Sequence, residues 1–499
     1  MDKKKAPYLS KYKGFLGKLD NYFRISERGS TFKTEIIAGL TTFFAMAYIV
    51  IVNPDQLTSF AKDVDPELKT IWYSVYVASI LAAVVGTILM ALYAKMPFAQ
   101  ACGMGLNSFF CTTFVAPALI LDKETGYVVG IKEAGTALQG YKEGLAVILL
   151  SGLLFMLLSL TGARTYIARS LPDCLKKSIP AGIGLFIAFI GLKGAGVITA
   201  NPFTFVQLFD FHAATWVSFV PVLITIVGLC VMAVLTKFNV KGSVIITILG
   251  STVLYYIMTW THPTFDIGDI GASFVAFGQE GIFGAFKGFK TLFTDGGAFS
   301  ATALFEVVAL TITFCLVDMF DTMGTLYGAA SQANMLDKNG DPINLKQSMN
   351  SDSIATVSGA VLGTSTCTTF VESSAGVGAG GRTGFASIIT TICFVACLFL
   401  TPLATIIPTC ATAPALIFIG VLMLKGFAKV DMNDISSAVP AFLTLILMPL
   451  TYSISNGIAV GAISYVFIRL CTGKYQKKDI VITIIAVLFA LRYAFVPMF

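Results

Sequence analysis

Charged residues are scarce in this sequence: Lys, Arg, Asp and Glu together make up 12% of 499 residues, whereas 56% are hydrophobic. A soluble protein of this length does not fit such a balance, because globular domains average about 25% charged residues. Histidine is scarcer still, and both instances, His212 and His262, fall outside the long apolar runs. Any proton chemistry inside those runs must therefore use carboxylates.

Several familiar signatures are also missing. The ten cysteines form neither a CxxC pair nor a cluster with histidine, so no disulfide framework, metal site or cofactor is expected. The glycine run at 375–384 lacks the Gly-Lys-Ser/Thr ending of a phosphate loop. An enzyme should carry a nucleophile–base pair and a receptor a sizeable soluble domain, and neither is visible. Nucleic-acid binding is not expected, because Lys and Arg lie in short loops beside apolar runs.

Long apolar runs dominate what is present. Most are roughly 17 to 25 residues long, the length at which a helix spans about 30 Å of hydrocarbon. The sequence therefore predicts an all-α polytopic membrane protein. If the N-terminus is cytoplasmic, basic loops at Arg164, Lys177, Lys338 and Arg382 all lie inside. The last run, 480–499, either spans the membrane or lies at its interface.

The two halves of the chain resemble each other weakly. The stretch IPAGIGLFIAFIGLKGAGV in the first half resembles APALIFIGVLMLKGFAKV in the second, and each half has one glycine-broken apolar segment, at Asn107 and at Glu372. An odd number of spans in each half would invert the second copy. The predicted divisions are a cytoplasmic segment (1–34), the first repeat (35–261), an extracellular loop (262–300) and the second repeat with a C-terminal hydrophobic segment (301–499).

Three carboxylates interrupt the apolar runs of the second half, and buried charges in a bilayer usually mark a transport pathway. Asp318 and Asp321 are three residues apart and share a helix face, so either can line a site. Glu372 follows a Thr-rich strip and precedes glycines, which predicts a short half-helix with its free N–H groups nearby. Asn107 follows GMG in the first copy and would occupy the equivalent half-helix.

Five motifs now resemble a known family in order and spacing. They are EIIAGLTTFFAMAYIVIVNP, PFAQACGMGLNSFF, VDMFDTMGTLYG, TFVESSAGVGAGGRTG and PAFLTLILMPLTYSISNGIAVG. They resemble the AzgA-like purine permease branch of the nucleobase–cation symporter family, of the nucleobase/ascorbate type. The resemblance implies about fourteen membrane segments in two inverted repeats of seven. It implies a core domain (35–165 and 301–408) and a gate domain (166–261 and 409–499, which includes the C-terminal hydrophobic segment). It also implies short mid-membrane strands in the broken third and tenth segments.

The same resemblance implies a function. This is import of hypoxanthine, guanine or adenine by proton symport, with sodium as the other possible coupling ion and a homodimer as a possible assembly in the lipid bilayer. Position by position, the family's acidic residues match Asp321 and Glu372, whereas Asp318 is the less favoured candidate for proton coupling. The expected substrate-binding residues are Glu372, Asp321, Asn107, Thr369, Phe370 and Phe44, with the aromatic rings stacking on the base. A uracil/xanthine permease and an anion transporter of the same fold are the alternatives.

Overall fold

The protein is described here by a computed structural model. The described residues are 12–122, 128–161, 172–201, 204–212, 214–238, 240, 242–295, 298–332, 335–337 and 342–495. The basic residues Arg164 and Lys338 and the end of the predicted last run, 496–499, lie outside them.

Helices make up most of the described chain. In order they are α1 (Gly14–Phe23), α2 (Phe32–Met46), α3 (Ile49–Leu57), α4 (Pro66–Leu89), α5 (Met104–Phe110), α6 (Thr136–Thr161), α7 (Asp173–Gly194), α8 (Trp216–Lys237), α9 (Ser243–Thr259), α10 (Gly268–Ala276), α11 (Gly284–Gly288), α12 (Ala301–Gln332), α13 (Leu345–Leu362), α14 (Ser373–Gly378), α15 (Gly384–Cys397), α16 (Thr401–Thr405), α17 (Thr409–Met423), α18 (Ile435–Leu450), α19 (Ile454–Cys471) and α20 (Ile480–Phe495).

The strands are short and form four antiparallel pairs. They are β1 (Gln100–Cys102), β2 (Leu119–Leu121), β3 (Val128–Ile131), β4 (Ile198–Asn201), β5 (Phe205–Leu208), β6 (Thr294–Asp295), β7 (Ala298–Phe299) and β8 (Cys367–Thr369). Three pairs are local hairpins, β2 with β3, β4 with β5 and β6 with β7. The fourth pairs β1 with β8 across most of the chain, so it joins the two halves.

The helices are long and apolar enough to confirm a polytopic membrane protein. Among the described residues, eight helical stretches meet the length and hydropathy of a membrane span, and four shorter apolar helices accompany them. Helix α13 and the two segments that carry β1 and β8 bring the total to fifteen segments. These are fourteen crossings and the final helix α20. Helix α20 packs against α19 and α12.

The helices pack in two groups. In the first, α13 packs on α4 and α6, and α15 packs on α2 and α4. In the second, α7 packs on α17 and α18, while α17 also contacts α8. Helices α5 and α12 contact α7, so they link the groups. The division into core and gate domains stays a prediction, because it concerns how the groups move.

Helix α7 and its counterpart α17 approach closely through glycines. A Cβ built on Gly420 would lie 2.5 Å from the backbone oxygen of Gly184, and one on Gly184 would lie 2.9 Å from that of Gly420. Without side chains at these two positions the backbones touch, which is how small residues strengthen helix packing in membranes.

Two segments differ from the sequence-based expectation. The polar stretch before Ile354 has low hydropathy, which predicts a loop, yet it forms the first half of α13, and Ser348 to Ser353 are buried. The segment 262–300 is predicted to be a loop, and it contains α10 and α11. It is tied to the helices by a hydrogen bond from Tyr73 to Asp269 (2.6 Å) and an ion pair between Lys142 and Glu280 (2.6 Å). In both segments several polar residues form hydrogen bonds inside the protein, Ser351 and Asp352 among them in α13, so low hydropathy does not mean a loop here.

Candidate functional site

The two broken segments meet at the short strands β1 and β8. Gln100 pairs with Thr369, and Cys102 pairs with Cys367. The backbone N–H of Gly103 donates to the carbonyl of Thr366 at 2.9 Å, which continues the pairing to the start of α5. Half-helices α5 and α14 then lead away from the crossing. This confirms the predicted short strands in the third and tenth segments.

Side-chain hydroxyl groups form hydrogen bonds with the backbone groups on the outer edges of this two-stranded sheet. The N–H of Gln100 donates to Thr87 Oγ1 (3.0 Å), whose hydroxyl also contacts the carbonyl of Gln100 (3.1 Å). The N–H of Cys367 donates to Thr356 Oγ1 (3.2 Å), and that of Ala99 donates to Ser373 Oγ (3.0 Å). Unpaired backbone groups are costly within a membrane, so these side chains explain how extended backbone is tolerated here.

A cavity of about 200 Å³ lies beside the crossing. This is below the ~300–1,000 Å³ of sites for drug-sized ligands, so a small ligand fits it best. Its polar lining comes from Asp321, Thr325, Thr368, Thr369, Glu372 and Ser374. Its apolar lining comes from α7 and α17 of the other group, as Ile183, Ile187, Ile419, Leu422 and Met423. One wall therefore offers hydrogen bonds, and the facing wall offers an apolar surface.

The two carboxylates of the cavity are Asp321 and Glu372, both partly accessible. Glu372 accepts a hydrogen bond of 2.7 Å from the buried hydroxyl of Tyr48. Asp321 Oδ2 lies 3.5 Å from the position that a Cβ on Gly103 would occupy, so the missing side chain there leaves room beside it. Within the described part of the chain, no Lys, Arg or His forms an ion pair with either carboxylate.

Only some of the other predicted site residues line this cavity. Thr369 and Phe370 line it, as expected. Asp318 does not, because it is buried and accepts a hydrogen bond from Thr356 at 2.9 Å. The geometry thus favours Asp321 within the pair.

Asn107 and Phe44 do not line the cavity either. Asn107 is fully buried, donates to Gln56 Oε1 at 3.2 Å and accepts from the hydroxyl of Ser365. Counted from the end of each strand, Asn107 is the fifth residue and Glu372 the third, so Gly105 holds the position that matches Glu372. Two further residues along a helix rotate the side-chain direction by about 200°, so Asn107 lies on the side of α5 away from the cavity. Phe44 is 47% exposed on α2 and packs edge-on against Phe43.

Sequence reasoning missed three features of the site. Tyr48 lies at the break between α2 and α3, inside a quoted motif, and only its hydroxyl in an apolar run signalled a polar role. Asp352 stands among Ser and Asn residues, so the hydropathy of the sequence does not mark it as part of a membrane span. The apolar wall on α7 and α17 carries no chemical signature, since isoleucine and methionine are common in every membrane helix.

Carboxylates that line a cavity between packed membrane helices, beside broken helices, are typical of transport proteins. The family model Xan_ur_permease, described as a permease family, matches residues 33–460. The chain belongs to this permease family.

Relatives match over nearly the whole chain. The guanine/hypoxanthine permease PbuG of Bacillus subtilis is 39% identical, with 96% of this chain and 100% of the relative covered. The adenine permease AdeQ of Escherichia coli is 34% identical, with 99% of each covered. The putative permease MJ0326 of Methanocaldococcus jannaschii is 35% identical, with 96% and 98% covered.

Solved structures share the fold at low sequence identity. The transmembrane domain of the cyanobacterial bicarbonate transporter BicA matches with a TM-score of 0.57 and 17% identity, covering 85% of this chain and 97% of that one. The murine anion transporter Slc26a9, in its inward-facing state, matches with a TM-score of 0.58 and 12% identity, covering 94% and 74%. The expected architecture of two inverted repeats is therefore confirmed.

Proposed function

We propose that the protein imports purine nucleobases, namely hypoxanthine, guanine or adenine, by proton symport with alternating access. It would do so across the cell membrane, with its N-terminus in the cytoplasm. The observation that carries the proposal is the pairing of Asp321 and Glu372 in one cavity whose opposite wall is apolar. The names of the relatives, guanine/hypoxanthine and adenine permeases, support the same substrate class.

The two walls suit the two kinds of surface of a purine. The edge of the base carries N–H donors, and a carboxylate such as Glu372 accepts these in charge-assisted hydrogen bonds. The flat faces of the base are apolar and would lie against Ile183, Ile419 and Phe370. Tyr48 holds Glu372 in place, since its hydroxyl occupies one carboxylate oxygen and leaves the other for the ligand.

Proton coupling follows from the charge of the cavity. A neutral base does not compensate two carboxylates, and moving uncompensated charge through the membrane is costly. A proton bound at Asp321 or Glu372 would reduce that charge in the loaded site. Asp321 would carry the proton, and Glu372 would share it when the substrate leaves.

An anion transporter of the same fold is less well supported. A site for anions should present cations, yet no Lys or Arg is among the residues that line the described cavity. A uracil or xanthine permease would share the cavity chemistry, so the substrate competition below separates these candidates.

The test is uptake of labelled hypoxanthine into cells that lack their own purine permeases. We expect Glu372→Gln to lower saturable uptake by at least about a hundredfold, because the amide is a weaker acceptor and carries no charge. The matched control is Glu133→Gln, which alters an exposed carboxylate outside the cavity and should leave uptake unchanged. Adenine and guanine should compete and uracil should not, and a protonophore should abolish accumulation. Normal uptake by Glu372→Gln, with the protein in the membrane, would refute the assignment.

A further inference from the structure

Asp352 lies behind the strand crossing and is connected to two residues of the cavity. Its side chain is fully buried on α13. Its Oδ2 accepts a hydrogen bond from the hydroxyl of Thr322, which in turn is 2.9 Å from the hydroxyl of Thr368. Its Oδ1 accepts from Gln100 Nε2 at 3.2 Å, and the same nitrogen lies 3.4 Å from Thr369 Oγ1. Each carboxylate oxygen thus reaches a cavity-lining threonine through one intermediate side chain.

The first of these connections is a chain of hydroxyls with a direction. Each hydroxyl has a single hydrogen to donate. When Asp352 is ionised, Thr322 gives its hydrogen to Asp352, and Thr368 must then donate to Thr322. The Thr368 hydroxyl then offers the cavity only its lone pairs, so it can accept a hydrogen bond there but cannot donate one. When Asp352 is protonated, its O–H donates to Thr322, Thr322 donates to Thr368, and the hydrogen of Thr368 becomes available to the cavity.

We propose that Asp352 is a proton-binding residue that sets whether Thr368 offers the substrate a hydrogen-bond acceptor or a donor. This inference rests on the proposed function, since it needs a purine in the cavity. A 6-oxo purine accepts hydrogen bonds at its carbonyl oxygen, so it is favoured by protonated Asp352. A 6-amino purine donates at the same position, so it is favoured by ionised Asp352. One buried carboxyl group then couples proton binding to affinity and to the choice between oxo and amino bases.

Other titratable groups surround the relay. Asp318 of α12 is bonded to Thr356, one turn along α13 from Asp352. Cys102 and Cys367 lie on the adjacent strands, with their sulfur atoms 3.9 Å apart. On α6, Tyr141 donates to the carbonyl of Gly363 near the far end of α13. Asp321 adjoins Thr322 on α12. A pH profile alone would mix these groups, so the test needs variants of the relay itself.

Asp352→Asn is the informative variant. Its amide nitrogen can donate to Thr322, and its oxygen can still accept from Gln100, so it fixes the relay in the direction that protonated Asp352 gives. We expect its affinity for hypoxanthine to change by less than about twofold between about pH 6 and about pH 8, whereas wild-type affinity should fall at least about fivefold over that range. Its preference for hypoxanthine over adenine should be held at the wild-type value for low pH.

Thr322 provides a second, independent pair of variants. Thr322→Val removes the hydroxyl and breaks the relay with little change in shape, whereas Thr322→Ser keeps it. The valine variant should also lose the pH dependence, and the serine variant should retain it. This pair keeps the inference testable if Asp352→Asn does not fold.

The measurement is binding of labelled hypoxanthine to purified protein over a series of pH values from about 6 to about 8, with adenine as competitor and each variant compared with wild type at the same pH. Flat profiles in Asp352→Asn and Thr322→Val, beside a wild-type-like profile in Thr322→Ser, would support the relay. A wild-type profile in either of the first two, a flat profile in the serine variant, or a flat profile in the wild-type protein would overturn it. Absence of purine binding by the wild-type protein would instead overturn the proposed function, and the role of the relay with it.

Discussion

The two crossing segments share a backbone plan and differ in chemistry. Each has a three-residue strand followed by a half-helix, and the strands pair residue for residue. In both segments the three residues after the strand line the cavity. In the first segment these are Gly103, Met104 and Gly105, and in the second they are Phe370, Val371 and Glu372. The first copy therefore contributes space and the second contributes the aromatic ring and the charge.

This difference teaches that the inverted repeat is symmetric in structure only. At matching positions, Gly105 lets a neighbouring helix approach, whereas Glu372 presents a carboxylate. Two charged positions facing each other would repel and would demand two counter-charges. Because the first copy is uncharged at this position, only one half-helix contributes a carboxylate, that of Glu372. Asp321 contributes the second carboxylate from α12.

After Glu372→Gln, the largest effect should come from filling the space in the first copy. A Cβ on Gly105 would lie 2.3 Å from Ile183 Cγ2, closer than any real contact, so either Ile183 must leave its rotamer or α5 and α7 must move apart. Overpacking of this kind costs about 1–3 kcal/mol. We expect Gly105→Ala to lower the rate of hypoxanthine uptake by at least about tenfold, because it disturbs the contact between the two helix groups.

The partner of that contact supplies the control. Ile183→Ala removes the methyl group that the new Cβ would meet, together with part of the apolar wall, so uptake by the double variant Gly105→Ala/Ile183→Ala should equal uptake by Ile183→Ala alone. If Gly105→Ala alone transports normally, the space at this position is not what the first copy contributes.

A smaller effect should follow from removing a hydrogen bond to the carboxylate of the second copy. Tyr48→Phe keeps the ring and removes the hydroxyl that donates to Glu372. Losing one hydrogen bond to a carboxylate that the cavity still hydrates should cost about 1 kcal/mol, or about fivefold in KM for hypoxanthine.

The control for this change is another buried tyrosine. Tyr76 donates to the carbonyl of Cys397 at 2.7 Å, away from the cavity. Tyr76→Phe should lower thermal stability and leave KM unchanged. Equal KM values for Tyr48→Phe and wild type would separate Tyr48 from substrate binding.

Much of this comparison was predictable from the sequence. Run length and charge scarcity predict the helices, the glycine-broken segments predict extended backbone, and the resemblance to the permease family implies the strands at the crossing. Asp321 and Glu372 stand out because a carboxylate in an apolar run is costly and therefore rare. Asp352 did not stand out, because its polar neighbours lower the hydropathy that marks a span.

The register of the first half-helix was not predictable in the same way. Asn107 is the only amide in its broken segment beyond the strand, so a search for polar groups selects it. Its orientation depends on where the strand ends and the helix begins, and that point is set by pairing with β8, far away in the chain. The apolar wall was unpredictable for a similar reason, because it depends on which face of α7 packs towards the cavity.

Asn107 also provides the smallest expected effect on transport, and it compares the two copies directly. Asn107 and Ser374 are both the fifth residue after their strands, but only Ser374 lines the cavity. Asn107→Ala would leave Gln56 and Ser365 without their buried partner, at about 1–3 kcal/mol in folding free energy. We therefore expect a lower unfolding temperature in detergent and a KM within about twofold of wild type. Ser374→Ala should do the reverse, raising KM with little change in stability. A large rise in KM for Asn107→Ala would restore this residue to the substrate site that the sequence predicted for it.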